Sequence, residues 1–131
     1  MARKYLNEIG LPDEAIEGLS ETDPRQQRWK QQIKDWGFAD YETWNMNFMF
    51  FAWLYERLKV FLEVNCIDLE FHKYEFDGEV YTQLEIINKM IEGCEIALTG
   101  GYGDCYLEEE KRKKMDDVVK IWAVVFDEMW W

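Results

Sequence analysis

The chain has 131 residues, 48% of them hydrophobic and 17% aromatic, with 27 acidic against 15 basic side chains and a net charge of −12. That length suits one domain around one core, and that apolar content folds rather than staying disordered. The negative balance repels phosphate backbones, which argues against direct nucleic-acid binding, and it suits a partner protein with a basic face.

The opening MARKYLNEIG carries no apolar stretch of signal-peptide length, and Cys66, Cys94 and Cys105 are an odd, widely spaced set. Both features point to a reducing cytoplasm. Leu11-Pro12-Asp13-Glu14 reads as the start of a short helix carrying Ile16 and Leu19, with proline and acids favoured in a first turn and Gly18 weakening the rest. A second helix starts at Asp23-Pro24, where aspartate caps and proline opens the helix, and it runs through Trp29, Ile33 and Trp36 to Gly37. Those three side chains make one apolar stripe.

Residues 41 to 64 read as the central helix, capped by Asp40. In its first half Trp44, Phe48, Phe51 and Trp53 point in several directions, the pattern of a helix surrounded by other elements. In its second half Leu54, Leu58, Phe61 and Leu62 form a stripe opposite Glu56, Lys59 and Glu63, as on a surface helix. Asn45, Asn47, Glu56, Arg57 and Lys59 interrupt the run, so it falls short of the about 20 mainly apolar residues that a bilayer requires.

Alternation then replaces helical spacing. Asp77-Gly78 is a strong type I′ signal, so residues 69 to 81 read as a β-hairpin in which Tyr74, Phe76 and Tyr81 share a face and pack on the helices. Thr82-Gln83-Leu84-Glu85 is a capping box that opens a helix with Leu84, Ile87, Ile91, Cys94 and Leu98 inward. Gly100-Gly101-Tyr102-Gly103 ends it. A last helix starts near Tyr106, where Glu108, Glu109 and Glu110 precede Arg112, Lys113 and Lys114 by four residues each. Its apolar face is Val118, Ile121, Trp122, Val125, Phe126 and Met129, enough to serve as a homodimer seam. The expected fold is mainly α (α+β), one helix-rich domain over 1–131.

His72 is the only histidine, and no ligand spacing matches a metal site. Gly101-Tyr102-Gly103 follows a helix rather than a strand, so it reads as a helix end and not as a phosphate loop. The residues therefore call for no cofactor and no catalytic set. Two binding surfaces compete. Tryptophan is enriched at interface hot spots, and seven exceed what a core of this size needs, which selects Trp122, Trp130 and Trp131 with the flanking Asp127 and Glu128 as a partner surface. The alternative is an aromatic pocket between central helix and hairpin, lined by Tyr55, Arg57, His72 and Tyr74. There a base stacks while Arg57 or the Lys111 to Lys114 cluster holds phosphate, as in a nucleotide-signal sponge.

The segment Gly37-Phe38, Asp40, Glu42, Thr43-Trp44, followed by Trp53-Leu54-Tyr55-Glu56-Arg57-Leu58-Lys59, resembles a group of small bacteriophage and prophage proteins, especially of Firmicutes and gut communities. The likeness covers about half of the chain. Where members of that group often carry an aspartate this chain has Asn47, so a charge-dependent role there does not carry over. The resemblance implies action in the cytoplasm of an infected bacterium but no particular activity. By analogy with small acidic phage accessory proteins, including anti-CRISPR proteins, the expectation is a non-enzymatic inhibitor of a host defence protein.

Overall fold

The computed structural model describes residues 4–11, 20, 22–65 and 68–129. The helix expected over 12–19, Cys66 and the terminal Trp130-Trp131 lie outside the described residues. The fold is mainly α with one antiparallel hairpin: α1 (Lys4–Glu8), α2 (Pro24–Trp36), α3 (Met46–Val64), β1 (Lys73–Phe76), β2 (Glu79–Thr82), α4 (Gln83–Leu98) and α5 (Glu109–Val125). No helix among the described residues is long and apolar enough to cross a membrane.

The core lies between α3, α4 and α5, with α4 in the middle. Leu54, Tyr55 and Leu58 of α3 are buried together with Ile86, Ile87, Met90 and Cys94 of α4 and Val118, Ile121 and Val125 of α5. Close approach of α4 to α5 depends on Gly93, because a Cβ at that position would overlap Val118 Cγ2 and the Lys114 carbonyl oxygen. Leu6 of α1 is fully buried, and its backbone N–H donates to Glu56 Oε1 at 2.8 Å.

The hairpin turns as its sequence dictates. Asp77 and Gly78 take φ of 53° and 80°, and Tyr74 pairs with Tyr81 while Phe76 pairs with Glu79. Tyr74 is buried, with Phe76 and Tyr81 partly so. Residues 69–71 form a turn rather than strand, and carbonyls of this turn and of His72 cap α4: Leu84 N–H donates to Leu69 O and Gln83 N–H to His72 O. The capping box is present in both directions, Glu85 N–H to Thr82 Oγ1 at 3.1 Å and Thr82 N–H to Glu85 Oε2 at 3.3 Å.

Three expectations are corrected. The central helix starts at Met46 rather than at 41, because Asp40–Thr43 form a 3-10 turn opened by Ala39, whose N–H donates to Glu42 Oε2 at 2.7 Å. The Asp40 carboxylate is drawn elsewhere: it accepts from Trp29 Nε1 at 2.9 Å and from Gln32 Nε2 at 3.0 Å, fixing α2 to that turn. The stripe of α2 is buried only at Trp29, while Ile33 and Trp36 are exposed. Finally, only Glu110–Lys114 of the three anticipated ion pairs forms, at 3.7 Å. Arg112 donates to the Asp104 carbonyl, and Lys113 spans Asp117 at 2.6 Å and the hairpin tip Asp77 at 2.9 Å, because Asp117 is nearly buried and without a cation would be an uncompensated charge.

Candidate interaction surface

Helix α3 is not enclosed. Its inner face supplies the core, yet its outer face carries Met46, Trp53, Val60 and Val64, all exposed, with Trp53 at 44%. Such a helix leaves an apolar stripe in water. The Trp53 ring stacks on Phe50 at 6.5 Å and meets Trp122 of α5 edge-on at 6.2 Å. Trp122 in turn meets Phe126 at 5.7 Å, and Phe50 leads through Phe51 to Tyr102 at 6.0 Å. Six rings from α3, α5, the 3-10 turn after α5 and the 101–103 turn thus form one ribbon, in which Phe51 is buried and Tyr102, Trp53 and Phe126 open to solvent, Phe126 to 62%. Arg57 lies over the Trp53 indole at 4.7 Å, a cation–π contact that its N–H to the Trp53 carbonyl at 3.2 Å holds in place.

Carboxylates mark one end of this ribbon. Phe126 opens a 3-10 turn that continues with Asp127 and Glu128, both exposed. Glu128 Oε2 accepts from the Tyr74 hydroxyl at 2.8 Å and lies 3.9 Å from His72 Nδ1. Next to His72, Phe71 packs edge-on at 5.3 Å and is 75% exposed. The hairpin and the turn before it add Asp68, Glu70, Glu75, Asp77 and Glu79 against the single Lys73, a local charge of −4 if His72 is neutral.

No family model, curated protein or solved structure matches the chain.

Of the residues selected from sequence, Trp122 and Glu128 both belong to this surface, with Asp127 between Phe126 and Glu128. His72 and Tyr74, expected to line a ligand pocket, lie beside Glu128, itself expected at a partner surface. Tyr55 does not join them. Expected to line that pocket, it is 1% exposed and donates to Glu95 Oε1 of α4 at 3.1 Å. Burial first, and the nearby Glu95 carboxylate second, raise its phenol above the usual range. Arg57 rests on Trp53, Lys113 on Asp77 and Asp117, and Lys114 on Glu92, so these cations serve three different contacts rather than one phosphate site. Cys94 is a core thiol that burial pushes up to about 12, far from the reactive thiolate range.

Sequence reading missed Trp53 and Phe50, because a dense aromatic run looks like core in every direction. The available signal was Val60 and Val64, which extend the Trp53 side of the helix at spacings of seven and four.

Proposed function

We propose that this chain is a non-enzymatic phage accessory protein that binds and inhibits a host protein, of the anti-defence kind, by docking a basic apolar segment on the α3–α5 aromatic ribbon. The observation that carries the reading is the ribbon itself: contiguous rings from separate elements, of which Trp53, Phe126 and Tyr102 open to water, with carboxylates at one end. Exposed aromatic patches of this kind are characteristic of interaction surfaces, and large rigid side chains dominate interface energetics. The neighbouring acids would orient arginine or lysine side chains of the partner.

The test is capture from a bacterial lysate with wild-type protein beside a Trp53→Ser/Phe126→Ser variant. The expected partner has a basic face, is lost with the variant and weakens as salt rises, because screening removes the carboxylate contribution. Equal retention by both proteins would overturn the assignment to this surface, and salt-insensitive binding to a neutral partner would remove the acidic part of it. Native mass spectrometry of gently purified protein reads the competing sponge activity directly, as a retained mass of nucleotide size.

A further inference from the structure

Charge is segregated along the fold. Residues 23–36 hold four cations, Arg25, Arg28, Lys30 and Lys34, against Asp23, Asp35 and the Asp40 carboxylate that Arg28 meets at 3.4 Å, a local charge of +1 in a chain of −12. This segment is α2, and its packing partner is the 40–43 turn, through Trp29 against Tyr41 at 4.7 Å. Beyond that anchor its stripe is bare: Ile33, Trp36 and Phe38 are exposed, with Trp36 and Phe38 touching at 6.1 Å. Lys30 and Lys34, also exposed, flank Ile33 at spacings of three and one. Helix α2 is therefore a basic, aromatic-tipped arm. The ribbon described above is its counterpart: exposed aromatic rings leading into Asp127, Glu128 and the acidic hairpin.

We infer that the arm of one copy docks on the ribbon of a second copy, with Trp36 and Phe38 against Trp53, Trp122 and Phe126, and Lys30 and Lys34 toward the carboxylates around Glu128. Charge complementarity selects a second copy in this arm-to-ribbon orientation, because ribbon against ribbon would bring two acidic ends together. If each copy gives its arm to the other, the pair closes with two-fold symmetry; otherwise the contact propagates into a chain. The inference is independent of any host partner, since it concerns the purified chain alone.

Analytical ultracentrifugation with a mixing design tests it. Wild-type protein is expected to self-associate, more weakly at about 0.5 M than at about 0.05 M NaCl. An arm variant, Lys30→Glu/Lys34→Glu, and a ribbon variant, Phe126→Ser, are each expected to lose about tenfold or more in self-association. Mixed, they are expected to associate with each other, because one supplies an intact ribbon and the other an intact arm. A wild type that stays monomeric at every concentration overturns the inference, as do single variants that associate like wild type. Failure of the mixture to associate overturns it too, provided circular dichroism shows both variants folded. Trp36→Ser, at a second exposed position, repeats the arm test without reversing charge.

Discussion

The hydroxyl of Tyr74 donates to Glu128 Oε2 at 2.8 Å across 54 residues of sequence, tying the hairpin to the turn that follows the last helix. Tyr74 is buried and Glu128 is about half exposed, so the two sides of this bond are unequal. Tyr74→Phe removes a donor whose acceptor can rehydrate, at an expected cost of about 1 kcal/mol. Glu128→Ala leaves a buried hydroxyl without its acceptor and is expected to cost about 1–2 kcal/mol. Urea denaturation of both single variants and the double variant checks this, the double costing less than the two singles together.

Alkaline pH should act through the same phenol. Burial, then the Glu128 hydrogen bond, raise Tyr74 above its ordinary value of 10.0, and burial with Glu95 does the same for Tyr55. A raised folded-state value means the associated stability is complete below about pH 10 and is lost as pH climbs through the folded-state values. Ultraviolet titration of tyrosinate should therefore show these two phenols ionising late, with unfolding. Tyr55→Phe and Tyr74→Phe should each remove one late-titrating group.

Gly93 sets the distance between α4 and α5. Alanine there would drive a methyl into Val118 Cγ2 and the Lys114 carbonyl. Overpacking against backbone costs about 3 kcal/mol, and the better helix propensity of alanine returns about 1 kcal/mol, for a net loss of about 2 kcal/mol. Thermal unfolding of Gly93→Ala reads that loss. A variant as stable as wild type would mean that the helices can separate without penalty.

Acid should release α2 before the core. Hydrogen bonding from Gln32, and then from Trp29, holds the Asp40 carboxyl below its ordinary 3.8, with Arg28 adding attraction. A lowered folded-state value contributes stability above the unfolded value that disappears as pH falls through the folded one. Hydrogen exchange on residues 24–36 should accelerate below about pH 4 while α4 stays protected, and Asp40→Ala should show the same acceleration at neutral pH.

Local chemistry was legible wherever a few neighbouring residues decide the outcome. Asp77-Gly78 fixed the hairpin register, Thr82 with Glu85 fixed the start of α4, and Asp23 with Gly37 fixed both ends of α2. Side-chain destinations set by tertiary contacts were not legible. Asp40 looks like a helix cap until Trp29 and Gln32 arrive from another helix to claim it. Tyr55 and Trp53 are two residues apart in one aromatic run, and only the spacing of Val60 and Val64 marks the side of the second, which faces water while the first is buried. The candidate surface was half visible for the same reason: Trp122 and Glu128 stand out by composition, whereas Phe50 and Trp53 are concealed among other rings.

The order of the core along the chain has a temporal meaning. Helix α3 ends at Val64, but the helix that covers its inner face runs to Leu98, and α5 follows only after that. At the 5–20 residues per second of synthesis, roughly 2 to 7 s separate the completion of α3 from that of α4. During that interval the inner face of α3, with Leu54 and Leu58, lacks the helix that buries it. Exposed apolar surface on a part-made chain favours aggregation, so the span of synthesis between Val64 and Leu98 is the one in which the inner face of α3 is most vulnerable.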